Sequence, residues 1–292
     1  GMQTLAGRHP LVSLPEALVT SECWAPVVRF CGRREPGQLL HRSTHDVWVD
    51  LAAPDDPSFS FGMRLDGLPE APRRPLEVLL RALELGFEAL CGEAMTPPAL
   101  GSMRALVRRL PETARVDRAG LVAGSPDAVR LWLSRMSAPA IAELVAITRD
   151  RAQARDIAAT LAGLTEAAGS IRTRIDVGAG VDRPIGLICA VDPVGSPPQV
   201  AARWRPLLDR LVATGLCPED RRDALLTCYG LLREGRSERW PRHLTTLSEL
   251  FGDSTESILQ WRLQQVCIEC DRGRPVGATA QIVAAHGWSH RS

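Results

Sequence analysis

The stretch from Ser170 to Gly215 constrains the fold most, because its hydropathy changes period twice. Arg172, Arg174 and Asp176 alternate with Ile171, Ile175 and Val177, the period-2 pattern of a strand with one polar and one apolar face. After the turn residues Gly178-Ala179-Gly180, Ile185 to Val191 is a nearly continuous apolar run of strand length. Val200, Trp204, Leu207, Leu208, Leu211 and Val212 then recur at helical spacing, and Gly215 stands where a helix would stop. The unit therefore reads strand, strand, helix.

Degraded copies of this unit occupy much of the chain. In Asp46 to Leu51, Val47, Val49 and Leu51 share a face; after a Pro-Asp-Asp-Pro turn, Phe59, Phe61, Met63 and Leu65 alternate with Ser60, Gly62 and Arg64. The helix of this copy spans 75–90, with Leu76, Leu79, Leu80, Leu83 and Phe87 as its stripe, and another follows Pro98 and stops at Pro111. A weaker strand pair, AGLVAG and AVRLWLS, precedes helical stretches at 138–147 and 151–168. A further helix is expected from Pro218 to Leu232, a loop over 233–246 and a short helix over 246–258. QQVCIECD and GATAQIVAA form the last pair, joined at Arg272-Gly273-Arg274-Pro275. Near the start, Leu14 to Val19 suits a short helix and Ala25 to Phe30 a strand.

The expected fold class is α+β: repeated strand-strand-helix-helix units, forming an antiparallel β-barrel ringed by helices or an open α+β layer. Residues 1–45 are expected to pack on the same domain as 46–292, because no long Ser/Gly linker separates the units.

Two resemblances attach to these residues. Asp46 to Leu51 with Pro57-Ser58-Phe59, Asp176-Val177-Gly178, Pro184 to Cys189, and Gly215 to Glu219 with Arg222 to Leu226 resemble a bacterial family of uncharacterised proteins, which implies no activity. The modular order over some 290 residues is similar in architecture to the ABBA, or PT-barrel, prenyltransferases. That resemblance implies a barrel chamber, an isoprenoid diphosphate or peptide substrate, a role in bacterial specialised metabolism, and no metal or other cofactor. The Lys-x-Tyr pattern of that family is absent; the last strand reads Ala278-Thr279-Ala280-Gln281. A non-catalytic binding or accessory protein of a biosynthetic pathway is the alternative.

Composition removes several chemistries. Lys+Arg number 35 against Asp+Glu 34, so no cationic excess points to nucleic acid. All 35 cations are Arg, which excludes a Schiff-base or P-loop lysine. No apolar run approaches the ~18 residues of a membrane span. The eight Cys follow no secretory signal, so a reduced cytoplasmic protein is expected, and Gly1-Met2 reads as a cleavage scar.

Candidate functional residues fall on the polar sides of strands. Arg130 shares a face with Trp132; Arg172, Arg174 and Asp176 share another; Arg64, Glu269 and Trp48 also lie on polar faces. If those faces line a chamber, converging guanidiniums would grip a phosphate or carboxylate and the indoles would stack on a ligand. On an open sheet the same residues would be a solvated face. The catalytic residues themselves are not identifiable, and Gly178-x-Gly180 precedes no helix. Cys267-x2-Cys270 with His286-x3-His290 matches zinc-site spacing, but i and i+3 on a strand point to opposite faces, so no metal is expected. His41 and His45 share an i, i+4 spacing without an accompanying carboxylate motif.

Overall fold

The computed structural model describes residues 2–3, 24–33, 37–53, 56–63, 76–92, 97–122, 125–178, 184–237, 240–252 and 255–290. Their backbone contacts divide the chain into two units. One holds Gly1–Ala159, Arg172–Gly186 and Asp271–Arg274; the other holds Thr160–Ile171, Leu187–Cys270 and Pro275–Ser292. Elements are numbered in chain order below. The architecture is mixed α+β with antiparallel strands, and no helix among the described residues is long and apolar enough to cross a membrane.

In the first unit the strands run in the order β1 (Met2–Gln3), β2 (Thr44–Ala53), β3 (Asp56–Met63), β4 (Arg115–Val122), β5 (Ser125–Ser134) and β6 (Ser170–Gly178). Alternation fixes which side is dry. Val47, Phe61, Ala119, Leu131 and Ile175 lie opposite one another across five strands, and each is buried. On this side the core also takes in α1 (Ala25–Gly32), α2 (Leu39–Ser43), α3 (Leu76–Cys91) and α4 (Pro97–Arg109). Phe61 is its centre. Its ring stacks on Phe30 at 5.4 Å and meets Phe87 edge-on at 5.3 Å. Gly86 sits beneath that ring, where a Cβ would collide with Phe61 ring atoms.

Ala25 to Phe30 is a helix, not the expected strand. Pro26 lies in its first turn, where a missing N–H costs nothing, and Val27 and Phe30 face the core at helical spacing. The unit also contains α5 (Ala138–Thr148) and most of α6 (Arg151–Thr165), close to the expected helices.

The second unit contains most of β7 (Ile185–Ala190), then α7 (Pro197–Ala213), α8 (Glu219–Leu226), β8 (Gly230–Arg233), α9 (Arg242–Phe251), β9 (Thr255–Asp271) and β10 (Arg274–His290). The sheet order here is β7-β9-β10, with β8 also on β9. The α7 stripe behaves as its spacing predicts: Val200, Trp204, Leu207, Leu208 and Leu211 are buried, and Gly215 closes the helix with φ +72°.

The helix expected to reach Leu232 ends at Leu226. Thr227 turns back on it, its hydroxyl donating to the Asp223 carbonyl at 3.0 Å, and Tyr229 falls in the link rather than on a helix. Gly230 then starts β8 opposite Trp261, whose indole fills the space a Cβ would need. The expected loop and short helix become a 3-10 turn at Glu234–Arg236 and α9, and 255–258 belongs to β9. Arg272 and Gly273 join β9 to β10 with φ of 47° and 82°, two left-handed residues in a two-residue hairpin loop.

Candidate functional site

The polar side of the first unit's sheet carries two cross-strand rows. In one, Trp48, Ser60, Gly120, Arg130 and Asp176 lie opposite one another from β2 to β6. In the next, Gly62, Arg118, Trp132 and Arg174 do so from β3 to β6. This face is not a wet exterior: Ser60 and Asp176 are each only 2% exposed. Polar groups held that far from water require partners, and the two rows supply them.

Arg130 and Asp176 form a fork. Nε donates to Oδ1 at 2.7 Å and Nη2 to Oδ2 at 2.8 Å. The Asp176 carbonyl also accepts from Arg149 Nη2 at 3.3 Å. Arg118 lies one row along, its Nε donating to Ser60 Oγ at 2.5 Å and its guanidinium carbon 4.1 Å from the centroid of Trp132. That is cation–π geometry, and it leaves a flat, positively charged surface over an indole. Gly120 allows β4 to lie close against β3, since a Cβ there would meet Ser60 Cβ and the Phe59 carbonyl.

Of the residues singled out from sequence, Arg130, Trp132 and Arg174 come together on this face, with Arg172 further along β6. Trp48 is opposite Ser60 by backbone register, while its side chain and the whole of Arg64 lie outside the described residues. Glu269 belongs to the second unit, where it is half-buried on β9 and accepts from Cys267 Sγ at 3.4 Å. Arg118 is the residue sequence reading missed. A register shift between Val116 and Arg118 breaks the alternation of β4, so parity counted from Val116 puts Arg118 on the wrong side.

The metal-like spacing comes apart on the sheet. Cys270 faces the second unit's core at 1% exposure, whereas Cys267 is half-buried on the other side of β9. Burial, then Glu269, Cys267 and Cys189, push the Cys270 thiol up to about 12; burial, then Cys267, push Cys189 to about 12. Both are therefore neutral thiols near pH 7. His286 Nε2 is engaged with Ser257 Oγ at 2.8 Å, and no cluster of three His, Cys, Asp or Glu among the described residues suits a metal ion.

Among the described residues Ser257 and His286 do not extend into a triad. Ser257 is fully buried and its Oγ also accepts from Trp240 Nε1 at 3.0 Å. Glu234 is directed at the Ser257 backbone N–H, 3.1 Å away, and at the Ser248 hydroxyl. This is a bracing network. No family model, curated protein or solved structure matches the chain.

Proposed function

We propose that the chain binds a small anionic ligand with an apolar or planar body, held on the polar face formed by Arg118, Trp132 and Arg174. The supporting observation is the placement of Arg118 over Trp132, directly opposite Arg174, on a face whose neighbouring Asp176 is 2% exposed. Arg130 already has a carboxylate in both arms of its fork and serves as scaffold. In this reading phosphate, diphosphate or carboxylate oxygens replace water around the guanidiniums of this face. An isoprenoid diphosphate, the ligand class implied by the architectural resemblance, combines the required anion with an apolar tail. Binding is proposed ahead of prenyl transfer because the single Tyr, Tyr229, precedes β8 and is not on this sheet face.

Thermal unfolding with inorganic pyrophosphate and with geranyl diphosphate tests this. A ligand that binds only the folded state raises Tm by mass action. Both should raise the wild-type Tm, geranyl diphosphate more, and Arg174→Gln combined with Trp132→Leu should remove the rise. No shift at millimolar ligand, or an equal shift in the double variant, would overturn the reading.

A further inference from the structure

β10 is a long strand at the end of the described sheet. It spans Arg274–His290, 17 residues, and among the described residues its sheet partner is β9 alone. Among the described residues no strand covers its other edge, which presents a row of backbone N–H and C=O groups. Proteins normally blunt such an edge with Lys, Pro, other charges or short length. After Pro275, β10 contains no Pro and no Arg, Asp or Glu. It also exposes large apolar side chains: Val276 at 58%, Ile282 at 51% and Trp288 at 38%. Phe251 of α9, 58% exposed, meets Trp288 edge-on at 4.9 Å and widens the apolar surface.

The spacing of these residues selects the occupant. Val276 and Trp288 are equidistant in sequence from Ile282. An antiparallel strand carrying the same sequence, related by a two-fold axis at Ile282, sets Ile282 against its own copy. Val276 then lies opposite the partner's Trp288, and Ala280 opposite the partner's Ala284. A two-fold interface must be self-complementary in this manner. A foreign strand would have no need of such symmetry.

We propose that β10 is a dimerisation strand, through which two copies of the chain pair edge to edge about a two-fold axis at Ile282. Backbone hydrogen bonds along the strand would supply affinity, and the Val276, Ile282 and Trp288 contacts would fix register. The two sheets would then be continuous across the axis.

Sedimentation of the full chain should give twice the monomer mass. Hydrogen exchange on the same protein should show amides between Val276 and Trp288 slowing as the protein is concentrated. Ile282→Lys sets two like charges together on the axis and should give a monomer with an unchanged far-UV spectrum, whereas Ile282→Val should remain dimeric. A monomeric wild type, a dimer whose β10 amides exchange as in dilute protein, or a folded Ile282→Lys dimer would each overturn the proposal. If Ile282→Lys fails to fold, the wild-type exchange measurement decides alone.

Discussion

Arg130 and Asp176 face each other across β5 and β6 and are joined at 2.7 and 2.8 Å, with the carboxylate 2% exposed and the arginine side chain 21% exposed. The pair fixes the polar face as much as its charges do. It holds the register of two strands, and it sets a buried carboxylate against a guanidinium next to the row of Arg118 and Arg174.

Removing one partner should therefore cost more than removing both. Asp176→Ala leaves Arg130 a partly desolvated cation and should destabilise the protein by about 3 kcal/mol, at the low end for a buried pair because Arg130 keeps some solvent contact. Arg130→Met combined with Asp176→Leu should cost clearly less. Urea unfolding of both single variants and the double variant gives the coupling. Additive losses would show that the fork contributes nothing as a pair.

Gly86→Ala opposes two effects of known sign. In a helix interior the change should stabilise by about 1 kcal/mol. Here the added methyl must enter the space of the Phe61 ring, and overpacking a tight core costs about 1–3 kcal/mol. The ring is pinned between Phe30 and Phe87 and cannot swing away, so the clash should win and Tm should fall. Adding Phe61→Leu to Gly86→Ala should recover part of the loss.

Cys189 and Cys270 give the protein a weakness toward alkali. Both thiols are raised from 9.0 to about 12, chiefly by burial. Between about pH 9 and about pH 12 the unfolded chain has lost these protons while the folded chain retains them. The unfolded state thus binds fewer protons, and stability falls as pH rises, by up to about 1.4 kcal/mol per pH unit for each thiol. Below about pH 9 neither contributes a slope. Denaturation across this range should show the decline, and the Cys189→Ala, Cys270→Ala double variant should flatten it.

What the sequence disclosed follows physical regularity. Val47, Phe61, Ala119, Leu131 and Ile175 form one dry row, and Ser60 and Gly62 of β3 with Arg130 and Trp132 of β5 lie on the polar side as alternation requires. Arg130, Trp132 and Arg174 were legible for that reason. Arg118 was not: the expected strand began at Ala119, whereas β4 starts at Arg115, and a bulge after Val116 would have put Arg118 on the dry side by simple parity. The Arg130–Asp176 fork joins residues 46 positions apart, and strand pairing across two intervening helices leaves no local trace. Near Tyr229 the obstacle was different. Leu231 and Leu232 continue a helical-looking pattern, but Gly230 is needed beneath Trp261, and that long-range contact ends the helix early.

The Glu234 network should rank its own members. One carboxylate oxygen of Glu234 accepts from the Ser257 backbone N–H at 3.1 Å and from the Ser248 hydroxyl, linking the 3-10 turn to α9 and β9. Ser248 and Ser257 are buried, at 1% and 0% exposure, so water does not replace a lost acceptor there. A hydrogen bond to a charged group contributes about 1.5–3 kcal/mol, and an orphaned buried donor adds its desolvation cost. Glu234→Ala strands the Ser257 N–H and should lose about 3 kcal/mol, with faster amide exchange in α9 and the first turns of β9. Ser248→Ala removes a donor and its hydrogen together, orphans nothing, and should lose about 1 kcal/mol. Glu234→Gln retains an acceptor oxygen and should fall between them. If Ser248→Ala costs as much as Glu234→Ala, the carboxylate is not the hub of this network, and α9 is held by its apolar contacts instead.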